Sequence, residues 1–110
     1  MLDINTRLYN NNNIHVKING GAAGVELNDL IYNLNEALFW EDTYLYGAPV
    51  MLGNDCGAYT FYNTNRDCIY YLTDRDINKI YAGHTVILYG RTLDAWDRET
   101  LARDFYGEEV

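Results

Sequence analysis

Cys56 and His84 are the residues best suited by type to nucleophilic chemistry. A cysteine attacks as its thiolate, so it needs a base within hydrogen-bond reach and a third group, here Asp55 or Asp74, to orient that base. Cys68 offers the same thiol, however, and the separation of Cys56 from His84 follows no catalytic signature. A chain of 110 residues also leaves little room for a substrate cleft. We therefore expect a turn cysteine and a surface histidine instead of an active centre. His15 falls at a polar position of an alternating segment and is expected to be solvated. Metal chemistry is no better supported: there is no Cys-x-x-Cys, His-x-x-x-His or calcium-loop spacing. Asp67, Asp74 and Asp76 lack ligand spacing, and capping a short helix is sufficient work for Asp74. The glycine-rich stretch from Asn19 to Gly24 precedes a helix, where anions are attracted to free N–H groups. Its glycine spacing matches no phosphate-binding fingerprint, no Lys follows, and Glu26 would repel a phosphate, so it reads as a flexible connection. The expectation is no enzyme, no metal and no cofactor.

Charge carries the stronger signal. The formal net charge is -8, which disfavours nucleic acid or an anionic membrane as a direct partner and favours a protein with a basic surface. Between Lys17 and Arg66 there is no Lys or Arg, while Glu26, Asp29, Glu36, Glu41, Asp42 and Asp55 all lie in that stretch. The helical carboxylates have no basic residue at i±3 or i±4 to neutralise them. Beside them stand Tyr32, Phe39, Trp40, Tyr44 and Tyr46, of residue types that concentrate binding energy at interfaces. Near the end of the chain Asp94–Arg98 and Glu99–Arg103 form i,i+4 pairs. Asp97 and Asp104 remain as an unpaired acidic stripe that Glu108 and Glu109 extend. The candidate partner-binding residues are Glu26, Asp29, Glu36, Trp40, Glu41, Asp42, Tyr44, Asp97 and Asp104.

The elements that position these residues follow from periodicity. Ile14–Ile18 alternates apolar and polar residues as a half-buried strand does, preceded by a turn over Asn10–Asn13. Leu27, Leu30, Ile31, Leu34 and Leu38 make one apolar helical stripe, with Glu26, Asp29, Asn33 and Glu36 on another face, and the helix stops near Trp40. Thr43 to Leu52, interrupted by Gly47 and Pro49, predicts an edge strand or irregular extended segment. Gly53–Gly57 is a turn cluster. Ala58–Tyr62 and Cys68–Leu72 predict a hairpin closed by Asn63–Arg66. Thr73 or Asp74 caps a short helix through Tyr81, ended by Gly83. Thr85–Tyr89 is the most β-like run and is expected to be central in the sheet. Thr92 or Asp94 begins a last helix to about Tyr106, on which Trp96 points away from Leu101 and Phe105. The order is β-α-β-β-β-α-β-α: a single α+β domain with an antiparallel or mixed sheet of four to five strands and about three helices on one face. Leu30, Ile31, Leu34, Ile69, Val86 and Leu88 should share one core. The N-terminal residues show no export signal and no apolar run reaches membrane length, so a cytoplasmic protein with reduced thiols is expected.

Taken together, the profile resembles small inhibitors encoded by phages and mobile elements, of the anti-CRISPR and antirestriction kind. The residues carrying the resemblance are Glu26, Asp29, Glu36, Glu41 and Asp42, then Asp97, Asp104, Glu108 and Glu109. It implies a protein-binding inhibitor whose carboxylates stand where DNA phosphates would lie in the basic groove of a nuclease or nucleoprotein complex. The chain is richer in aromatics than charge mimicry requires, which points to an interface that is part apolar anchor and part acidic decoy. The competing readings are an acidic assembly module, such as an immunity protein or phage structural component, and a small enzyme using Cys56 and His84.

Overall fold

The computed structural model describes residues 2–51, 57–95, 98 and 99, with the backbone alone over 46–51. Strand β1 (Ile4–Leu8) pairs antiparallel with β2 (Ile14–Ile18), and β2 pairs antiparallel with β6 (Val86–Leu88). The asparagine run closes the first hairpin, with Asn12 at φ +75°, a left-handed conformation that Asn tolerates better than most side chains. The sequence pattern predicts no strand over Ile4–Leu8, where β1 lies. Its residues alternate, but as an edge strand it buries none of them fully, so the apolar signal is diluted. The order β1-β2-β6 makes β2 central and places β6 at an edge, against the expectation for Thr85–Tyr89. The run looked two-sided because Ile87 is apolar, yet Ile87 faces outward between the buried Val86 and Leu88.

Helix α1 (Leu27–Phe39) buries Leu30, Ile31, Leu34 and Leu38. Leu27, at the first turn, remains 41% exposed. The loop before α1 is pinned, where a flexible connection was expected. Gly21 sits at φ +73°, and a Cβ there would come within 2.6 Å of the Tyr81 carbonyl oxygen. The Ala22 N–H donates to that same oxygen at 3.0 Å, and the Tyr81 hydroxyl donates to the Val25 carbonyl at 2.8 Å. Only glycine allows so close an approach of two backbones.

The second sheet has the order β3-β4-β5-β7, all antiparallel, from β3 (Thr43–Met51), β4 (Gly57–Asn63), β5 (Cys68–Thr73) and β7 (Arg91–Thr92). β3 is the expected edge strand, and its register with β4 breaks between Tyr46 and Val50, across Gly47 and Pro49. Helix α2 (Asp74–Tyr81) starts with a reciprocal capping box between Thr73 and Asp76. Thr73 is thus the cap, and the Asp74 carboxylate instead accepts the Gly57 N–H at 3.2 Å.

The main core joins both sheets and both helices, with β2, α1, α2 and β6 meeting Phe61, Tyr70 and Leu72. Ile69 does not belong to it. Successive residues of β5 point to opposite faces, so Ile69 packs with Tyr62 and Leu93 in a second small cluster. The α+β class holds, with two antiparallel sheets in place of one and two helices among the described residues. One sheet was the wrong inference because β2–β6 pairing is remote in sequence, and local pattern does not encode it. The last expected helix cannot start at Thr92, which lies in β7. The Arg98 N–H donates to the Asp94 carbonyl at 3.1 Å, and residues 100–106 lie outside the described residues. Among the described residues, no helix is long and apolar enough to cross a membrane.

Candidate functional site

The burial of Leu30, Ile31, Leu34 and Leu38 fixes the rotation of α1 and turns its other side outward. Helical spacing then puts Asp29, Tyr32, Glu36 and Trp40 along one exposed face, with Phe39 at its margin. Trp40 is 82% exposed, Tyr32 63% and Phe39 53%, an unusual concentration of apolar area on one helix end. Glu26, at the N-cap position, makes no side-chain capping bond, so its carboxylate also faces solvent. The Glu36 carboxylate, one turn on, holds the Tyr32 phenol above its ordinary pKa.

Two grooves flank this face. One, of about 460 Å³, lies between α1 and β3 and is lined by Asn35, Glu36, Phe39, Trp40 and Tyr44. The other, of about 240 Å³, lies between α1 and β1, with Leu2, Ile4 and Thr6 opposite Asn33, Glu36, Ala37 and Trp40. Glu36 and Trp40 line both and form the ridge between them. In the first groove the rings stand nearly at right angles in series: Phe39 to Trp40 at 85° with centroids 6.1 Å apart, and Phe39 to Tyr44 at 81° and 5.5 Å. Edge-to-face contacts of this kind are favourable and hold the rings as walls. Asn35, to which the sequence reading gave no role, fixes the groove's two sides. Its side-chain oxygen accepts the Leu45 N–H at 2.9 Å and so ties α1 to β3.

Glu41 and Asp42, expected on the same surface, are half-buried in the turn after α1, where the Glu41 backbone and the Asp42 carboxylate are tied to residues of the β4–β5 hairpin. The Glu41 carbonyl accepts the Thr43 hydroxyl at 2.9 Å and the Asn63 amide at 2.9 Å. Asp42 has φ +54°, and its carboxylate accepts the Asn65 side-chain amide. Asn63, expected as the first residue of the hairpin turn, is wholly buried at the end of β4, where an Asn is a turn-forming signal. Of the expected site residues, Glu36, Trp40 and Tyr44 meet at the first groove, with Asp29 on the exposed side of α1 and Glu26 at its opposite end. Asp97 and Asp104, with Glu108 and Glu109, lie outside the described residues.

Electrostatics sets this face apart. Among the described residues the closest opposite charges are Arg91 and Asp94, 3.9 Å apart, and none of the α1 carboxylates has an ion pair. The last turn of α1 carries no basic residue. The helix dipole makes that end negative, so Glu36 stands where a carboxylate costs about 0.3–1 kcal/mol and a cation would be stabilised.

The positive charges of the first sheet lie on another surface. Arg7, Lys17 and the half-buried His15 project from the face of β1 and β2 that points away from the core. Arg7 lies 4.8 Å from the Tyr9 ring centroid, and the Tyr9 ring packs against His15, tilted by 46° with centroids 4.3 Å apart. His15 is therefore packed against an aromatic ring, not simply solvated as expected.

The candidate nucleophile–base pair gains no geometric support. Cys56 lies outside the described residues, and His84 is an exposed residue after α2. Cys68 is buried, its thiol donates to the Arg66 carbonyl at 3.4 Å, and burial pushes its pKa up. Asp67, Asp74 and Asp76 are each engaged elsewhere, by the Tyr62 hydroxyl, the Gly57 N–H and the Thr73 cap respectively. Among the described residues no group of three metal-ligating side chains converges. No protein-family model, curated protein or solved structure matches the chain.

Proposed function

We propose that this chain is a non-enzymatic inhibitor that docks the outward face of α1 onto a basic protein surface, the nucleic-acid-binding site of a host defence nuclease being the kind of target it suits. The observation that carries this reading is the grouping of three exposed aromatics with unpaired carboxylates on one helix, beside two grooves. Nucleic-acid grooves are rows of Lys and Arg normally met by phosphates. Glu26, Asp29 and Glu36 compete for such a row without needing sequence specificity, while Trp40, Phe39 and Tyr44 select the partner by packing. The face displays no basic residue that would repel that target.

The test begins with capture of a partner from a host lysate and ends with a competition. The purified partner is loaded with labelled DNA or RNA and titrated with the chain. Displacement of the nucleic acid at stoichiometric concentrations is the expected result. A ternary complex that keeps its nucleic acid would remove the inhibitor reading. It would favour an assembly module, which uses the same aromatic anchors and does not need the carboxylates.

A further inference from the structure

We infer that the groove between the C-terminal end of α1 and β3 is a receptor pocket for one arginine side chain of the partner protein. This inference rests on the docking face proposed above and names what enters it. The groove is lined by the rings of Phe39, Trp40 and Tyr44 together with Asn35 and the Glu36 carboxylate. Aromatic faces carry negative quadrupole potential, so three rings around one concavity attract a cation whose stem is apolar. The Glu36 carboxylate supplies the counter-charge. The C-terminal carbonyls of α1 add negative potential from a third source, with no basic residue in the last turn to cancel it.

Arginine fits these walls better than lysine. Its guanidinium is planar, stacks on aromatic faces, is weakly hydrated, and pairs with a carboxylate through two parallel N–H donors. A lysine ammonium is compact and strongly hydrated, and gains less from flat walls. The Asn35 bond to the β3 backbone keeps the groove's two sides at fixed separation.

The experiment titrates the isolated chain with N-acetylarginine amide and follows the Trp40 indole N–H resonance, assigned by its loss in W40F. N-acetylcitrulline amide, the uncharged isostere, and N-acetyllysine amide serve as probes of charge and shape. The expected result is a saturable shift with the arginine amide, weaker binding of the lysine amide, and none with the citrulline amide. E36Q should weaken the arginine amide by up to about fivefold, the range of one exposed ion pair, with the remaining amide resonances unchanged to show an intact fold. Equal shifts with all three amides, or no saturable shift at all, would overturn the inference, as would lysine binding equal to arginine. Its failure is separable from that of the docking face. If the arginine amide does not bind but charge reversal on α1 still abolishes the partner complex, only the pocket falls. If the amide binds and the complex ignores charge reversal, the docking proposal falls and the pocket stands.

Discussion

Tyr70 is fully buried and its hydroxyl donates to the Asn12 carbonyl at 2.6 Å, linking β5 to the first hairpin turn. Burial holds its phenol at about 12, above the ordinary 10. The neutral phenol is the form the fold stabilises. Its contribution is whole below pH 10 and is lost as the pH rises from about 10 to about 12. Y70F should cost about 1 kcal/mol at neutral pH, by stranding the Asn12 carbonyl. It should also lose less stability than the wild type between about pH 10 and about pH 12, as read from urea midpoints. Parallel losses in the two proteins would contradict the assignment. Cys68 makes a second prediction at this scale. A buried thiol with a raised pKa is a poor nucleophile, so in a C56A background alkylation of Cys68 should follow global unfolding and slow as the fold is stabilised. Rapid labelling of the native protein would reopen the reading of a cysteine-dependent enzyme.

The turn from α1 into β3 is held by one side chain from another element. Asn63 donates to the Glu41 carbonyl at 2.9 Å and the Thr43 hydroxyl at 3.2 Å, and accepts from the N–H groups of Asn65 and Arg66 at 2.9 and 2.8 Å. N63A should cost at least about 2 kcal/mol, because each buried polar group left unpaired costs roughly 1–3 kcal/mol. A change below about 0.5 kcal/mol in denaturant unfolding would place it with ordinary surface substitutions. This bracket illustrates what the sequence made legible. The leucine stripe of α1, the hairpin around Asn63–Arg66, the edge character of β3 and the Thr73 start of α2 are local patterns, and each is found where expected. The division into two sheets is not local, since it depends on β6 returning to β2 after five intervening elements. The same limit applies to the site. Glu26, Asp29, Glu36 and Trp40 share a face because helical spacing alone puts them there. The first groove exists only because β3 brings Tyr44 beside Phe39, and the structural employment of Asp42 depends on Asn65, a contact across elements.

At the scale of the molecule, charge is segregated by the two sides of a single strand. β1 turns Ile4 and Thr6 toward α1, where they face Glu36 and Trp40 across the smaller groove, and turns Arg7 to the opposite face beside His15. A net charge of -8 is therefore not spread evenly. The α1 face is acidic and aromatic, and the outer face of β1 and β2 carries cations. Such a distribution orients an approaching basic partner before contact and makes association sensitive to ionic strength. The most direct test of this account measures the dissociation constant of the captured partner at several salt concentrations. It compares the wild-type chain with a variant carrying Glu26→Lys, Asp29→Lys and Glu36→Lys. These exposed positions should tolerate substitution within about half a kcal/mol each, so the variant is expected to fold. The wild-type complex should weaken as salt rises, and the variant should lose at least about tenfold in affinity at low salt, with most of the salt dependence gone. A folded variant that binds as tightly as the wild type, with the same salt slope, would contradict this account.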